Sequence, residues 1–101
     1  MNREIKHTPR GYSYIDVSLE ECLNWGGLGI CDGCNTGPHQ KLKLVWALHD
    51  TYCPKCFENW LERQKNYSNN DVEFDIELQN KLDKRYYDAY SKYFIEGEKI
   101  D

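Results

Sequence analysis

At 101 residues the chain has room for one compact domain and too little for two independently folded ones. Forty per cent of its side chains are apolar and thirty per cent charged, a balance that gives a modest core, and no apolar run approaches the length of a membrane span or of a secretion-signal core. A formal charge of −4 rules out the overall basic footprint of a protein held to nucleic acid by charge alone.

Residues 1–11 read as a flexible arm closed by Pro9 and Gly11, and residues 12–101 as a single zinc-binding domain. Tyr12 to Val17 has the aromatic and β-branched content of a short strand. Ser18-Leu19-Glu20-Glu21 matches a capping box: the Ser18 hydroxyl accepts from the Glu21 amide, and the Glu21 carboxylate reaches back to the Ser18 amide. A short helix therefore starts there, with Leu19, Cys22, Leu23 and Trp25 on its apolar side, and Gly26-Gly27 ends it. Gly26-Gly27-Leu28-Gly29 lacks the Lys-Ser/Thr of a phosphate loop and opens no helix, so it reads as a helix stop with close backbone approach.

Asn35 to His39 is a polar loop containing Gly37-Pro38. In Lys41 to Leu48 the residues Leu42, Leu44, Trp46 and Leu48 alternate onto one face, the period of a half-buried strand. His49-Asp50 turns the chain and Thr51-Tyr52 returns as a second strand. Pro54 suits the first position of a helix, and Phe57, Trp60, Leu61 and Gln64 repeat at helical spacing, which predicts a helix over 54–65. A loop over 66–70 leads to a longer helix from about 75 to 96, with Leu78, Leu82, Tyr86, Ala89, Tyr90 and Tyr93 or Phe94 along one side. Its aromatics outnumber what one narrow stripe buries, so some reach solvent.

The chemistry lies in two knuckles, Cys31-Asp32-Gly33-Cys34 and Cys53-Pro54-Lys55-Cys56, separated by 18 residues. Four thiolates so arranged form a tetrahedral metal site, and Cys31, Cys34, Cys53 and Cys56 are the expected ligands of one zinc ion. Iron is the alternative, because four thiolates do not choose between the two metals. Placing the second knuckle on a helix N-terminus lets amides and the helix dipole stabilise thiolate charge. A thiol-oxidoreductase reading of Cys53-Pro54-Lys55-Cys56 needs one free dithiol in a βαβ context, without a second pair beside it. A catalytic zinc keeps an open position, whereas here cysteine fills all four, so the metal reads as structural and the chain as no enzyme. His7, His39 and His49 fall in presumed loops, and Cys22 reads as a small buried hydrophobe.

A knuckle, a hairpin and then a knuckle on the first turn of a helix resembles a treble-clef zinc finger, over Ile30 to Gln64, with the finger spanning about 30–65. The fold class is then α+β: one small domain built on a treble-clef finger with a long C-terminal helix across it. In motif style, Asn24-Trp25-Gly26-Gly27-Leu28-Gly29-Ile30-Cys31-Asp32-Gly33-Cys34-Asn35 and Tyr52-Cys53-Pro54-Lys55-Cys56-Phe57-Glu58-Asn59-Trp60-Leu61-Glu62-Arg63 resemble small zinc-finger proteins of bacteriophages and bacterial mobile elements. That resemblance implies a cytoplasmic accessory protein and carries no substrate with it.

Function is then expected to be non-enzymatic binding of a protein partner, with no membrane and no small-molecule substrate. Four thiolates and one divalent ion take the formal charge to about −6, and residues 71–101 hold nine acids against five bases. Asp71, Glu73, Asp75 and Glu77 would suit a basic channel, as in an anti-CRISPR-type inhibitor of a host defence nuclease. Nucleic-acid binding is the alternative: Lys41, Lys43, Lys55, Arg63 and Lys65 cluster around the finger, and Trp46, Tyr52 or Trp60 would stack on bases.

Overall fold

Among the described residues, four strands joined antiparallel in their order along the chain make the frame, and three helices cover it. The computed structural model describes residues 4–48 and 50–95, the side chains of residues 83 and 84 apart. The order along the chain is β1 Lys6–His7, β2 Ser13–Ser18, α1 Leu19–Asn24, β3 Lys41–Val45, β4 Asp50–Tyr52, α2 Pro54–Gln64 and α3 Asn69–Ser91. The chain is thus a small α+β domain.

Strand β2 is the centre. Ile15 faces Leu44 and Val17 faces Leu42, so one face of the β2–β3 pair is wholly apolar. Cys22 of α1 and Trp46 complete that core, and each fully buried aliphatic side chain in it contributes about 1.5–3 kcal/mol by leaving water. On the other face a second core joins Tyr12, Val45 and Tyr52 to Phe57 and Trp60 of α2, with Cys31 and Cys53 embedded among them. Helix α3 serves both: Ile76 packs on the second core, whereas Tyr86, Tyr87 and Tyr90 pack on the first. Gln79, buried in α3, accepts from the Ser13 amide at 2.7 Å and donates to the Gly11 carbonyl at 3.0 Å, which pins the helix to the start of β2.

The capping box forms as the residue pattern predicts, with Ser18 Oγ 3.2 Å from the Glu21 amide and Glu21 Oε1 2.9 Å from the Ser18 amide. Pro54 opens α2, with Cys53 at the N-cap. Elsewhere the boundaries move. Residues 4–11 of the expected arm are laid onto the body: Lys6 pairs with Tyr14 and His7 with Ser13. The Arg10 guanidinium donates to the carbonyls of Gln64 at 2.7 Å and Tyr67 at 3.2 Å, satisfying groups that the end of α2 leaves open. Strand β3 stops at Val45 instead of Leu48, because Leu48 donates back to the Val45 carbonyl at 3.2 Å in a turn. Trp46 still falls on the apolar side and is 1% exposed. His49 lies outside the described residues. Helix α3 begins at Asn69 instead of about 75, since Ser68 Oγ caps it by accepting from the Asp71 amide at 3.1 Å. It ends at Ser91, and residue 96, the expected end, lies outside the described residues.

Candidate metal centre

The first knuckle is a tight turn between α1 and β3. Asn35 adopts a left-handed φ of 56° and donates to the Cys31 carbonyl at 2.8 Å, Cys31 donates to the Thr36 carbonyl at 3.0 Å, and the Gly33 amide points at Cys31 Sγ from 3.3 Å. The second knuckle straddles the start of α2: Cys53 is extended, its carbonyl accepts the Phe57 amide at 2.9 Å, and Cys56 sits in the first turn. Asp32 fastens one knuckle to the strand that delivers the other. Its amide donates to the Thr51 carbonyl at 2.8 Å, and its carboxylate accepts the Thr51 amide at 2.7 Å.

The result is that the sulfurs of Cys31, Cys34, Cys53 and Cys56 lie within 4.8 Å of one another, all four as free thiols. A tetrahedral zinc with Zn–S bonds of about 2.3 Å needs sulfurs about 3.8 Å apart, so the cluster fits the ion with small adjustments. The space around it is equally specific. A Cβ at Gly33 would stand 2.9 Å from Cys56 Cβ and 3.2 Å from its sulfur, so only glycine lets the knuckles close to this distance. Among the described residues no other group of three or more His, Cys, Asp or Glu side chains is so gathered.

The four cysteines differ in setting. Cys31 and Cys53 are buried, Cys56 is half-buried and Cys34 is exposed. Thr36 Oγ1 lies 2.9 Å from Cys34 Sγ and 3.2 Å from His39 Nε2, so His39 reaches Cys34 through Thr36 and stands outside the four-sulfur cluster. As thiols, Cys34 and Cys56 do not ionise alike. The hydrogen bonds of Thr36 pull Cys34 down to about 6, whereas burial, followed by hydrogen bonds to Cys31, Cys34 and Cys53, pushes Cys56 up to about 12. Four sulfurs this close all become thiolates only around a cation, which is the chemistry of a metal-ligand set. A cleft of about 600 Å³ opens beside them, lined by Thr36, His39, Lys55 and Asn59. Cys22 stands apart in the other core, where burial and then the Glu21 carboxylate push its thiol up to about 12.

The charged and aromatic candidates are scattered. Asp75 is spent inside the fold, accepting from Tyr12 Oη at 2.6 Å, while Asp71, Glu73 and Glu77 are exposed on α3, Glu73 and Glu77 one turn apart on one side and Asp71 on another. Lys43 binds Asp16 Oδ1 at 2.5 Å and lies over the Tyr14 and Phe57 rings, and Lys65 pairs with Glu62 at 2.9 Å. Lys41, Lys55 and Arg63 are exposed. Trp46, Trp60 and Tyr52 are buried in the two cores. Asp32, Gly33 and Thr36 escape sequence reading: the Cys-x-x-Cys pattern marks the cysteines, but not the groups that hold the knuckles together.

Fold and centre together define the class: a small α+β protein with a four-cysteine cluster that could hold a metal ion. Comparison of the chain with protein-family profiles, with curated proteins and with solved structures found no match.

Proposed function

We propose that the chain is a treble-clef zinc finger enlarged into one domain, and that it acts by binding a protein rather than by catalysis. The treble-clef reading rests on the order of parts: the Cys31–Cys34 knuckle, the β3–β4 hairpin, then Cys53 and Cys56 at the start of α2. Four thiolates complete the tetrahedral shell of zinc and leave it no position for a substrate, which makes its role that of a cross-link.

One observation carries the partner reading. Leu28, 73% exposed, and Ile30, 37% exposed, rim a hollow of about 270 Å³ with Trp25 and Asp32, immediately before the first knuckle. Apolar side chains held out to water on a metal-anchored segment suit a protein surface, since the ordering they need on binding is already done. A narrower version, drawn from the phage-type motif style, is inhibition of a defence nuclease. Its acidic contribution would come from Asp71, Glu73 and Glu77, with Asp75 already engaged by Tyr12.

Nucleic-acid binding has less behind it, because the aromatic side chains that would stack on bases are in the core and Lys43 is paired with Asp16. The test is capture from host lysate by the zinc-loaded chain, with and without nuclease. A defined protein retained in both arms, and lost when Leu28→Asp and Ile30→Asp are combined at unchanged zinc content, is the expected result. Capture abolished by nuclease would transfer the reading to nucleic acid.

A further inference from the structure

Along α3, Asp71, Phe74, Leu78 and Lys81 follow one another at steps of three, four and three residues, the spacing that keeps side chains on one stripe of a helix. All four are exposed, Phe74 at 69% and Leu78 at 40%. With Glu77, the last three rim a shallow hollow of about 130 Å³. The helix meets the body through other positions, Val72, Ile76 and Gln79, so the stripe lies to one side of the buried face. Phe74 is among the most exposed large apolar side chains of the described residues, and no packing within the chain accounts for it.

The pattern has a property that neither a uniformly acidic nor a uniformly basic partner would match: it is its own complement when reversed. About an axis at Ile76, position 71 faces position 81 and position 74 faces position 78. An acid then meets a base and an apolar side chain meets an apolar one. Parallel pairing would instead set Asp71 on Asp71 and Lys81 on Lys81, like on like.

We infer that this stripe pairs antiparallel with the same stripe of a second copy, across a two-fold axis near Ile76. Phe74 packs on the partner subunit's Leu78, and Asp71 faces the partner subunit's Lys81, each contact occurring twice. Within the chain Lys81 has an exposed pairing with Glu77 at 3.5 Å, a contact weak enough to yield to a second carboxylate. The stripe covers about 15 Å of helix, much less than a standard interface, so the association is weak and set by protein concentration. The inference is independent of the zinc-finger and partner readings.

The test is sedimentation of the full zinc-loaded chain under reducing conditions, over concentrations up to roughly 1 mM. The wild-type mass should rise from 12.0 kDa toward twice that value as concentration increases. Asp71→Lys alone and Lys81→Asp alone should each stay at monomer mass, because like charges then face each other. An equimolar mixture of the two single variants should associate again, and so should the double variant D71K/K81D. Phe74→Ser should stay monomeric with its charges intact. Circular dichroism checks the helix in each variant, and where Asp71→Lys lowers helicity, Lys81→Asp compared with Lys81→Ala carries the charge test. A wild-type chain that stays monomeric throughout, or single charge variants that associate as the wild type does, would overturn the inference, as would a mixture that fails to recover.

Discussion

Gly33 has no side chain, and the close approach of the four cysteines depends on that. Its Cα faces Cys56 so closely that a methyl group would stand 2.9 Å from that residue's Cβ and 3.3 Å from the Tyr52 ring. In Gly33→Ala the knuckles must separate by several tenths of an ångström, a forced repacking that costs about 1–3 kcal/mol. We expect weaker zinc retention in a chelator competition and a lower melting temperature, whereas Gly26→Ala, with nothing within 4 Å of the new Cβ, should leave zinc retention alone and cost only backbone strain at its φ of +90°. Equal loss of zinc in both variants would show that contact with Cys56 is not what Gly33 protects.

At the scale of elements, the β2–β3 pair is fastened on its α2 side by charge. Asp16, 6% exposed, receives Lys43 at 2.5 Å and Lys6 at 2.6 Å. Burial would raise its pKa, but the hydrogen bonds from Lys43 and Lys6 outweigh it and hold the carboxyl below its ordinary 3.8. A depressed folded-state pKa gives stability that is present above the ordinary value and lost as pH falls through the folded one. Asp16→Asn should therefore cost on the order of 1–3 kcal/mol at pH 7. The gap in melting temperature between variant and wild type should close as pH drops below 3.8. Acid strips zinc from both proteins, so the difference between them isolates Asp16. A gap constant down to acid pH would mean that the carboxylate's charge contributes nothing. This pair also shows where sequence reading stops. The cap residues Ser18 and Glu21, the helix-opening Pro54 and the pairing of cysteines within each knuckle are legible in the sequence, because caps and knuckles are local patterns. Arg10 closing the end of α2 and Lys6 reaching Asp16 are contacts across sequence that no local period encodes. The start of α3 was hidden for a different reason: residues 66–70 have loop composition, yet Ser68 supplies a cap and Val72 and Ile76 supply burial, and together these outweigh the poor helix propensity of Asn69 and Asn70.

For the whole molecule, the sulfur cluster is continuous with a core, since Cys31 and Cys53 belong to the same buried group as Trp60, Tyr52 and Phe57. Metal binding and packing on that side of the sheet should be lost together. Chelation, or Cys53→Ser, is expected to expose Trp60 and shift its fluorescence to longer wavelength, and Trp60→Phe should remove most of that response. An emission spectrum unchanged by complete zinc removal would contradict the coupling. The other core, on the far side of β2, contains none of the four clustered cysteines and is closed by α1 and the second half of α3.

That far side has its own clasp in Glu21. One of its carboxylate oxygens takes the Ser18 amide at 2.9 Å, and the other takes the Ile95 amide at 2.8 Å, in a side chain that is 0% exposed. A single carboxylate thus spans 74 positions of sequence and secures a backbone group four residues past the last turn of α3. In deuterated solvent the Ile95 proton should accordingly exchange as slowly as Ser18's, at a common rate, because both are released by the same opening. In Glu21→Gln one oxygen remains to accept, so one of the two protons should become fast while the other stays protected.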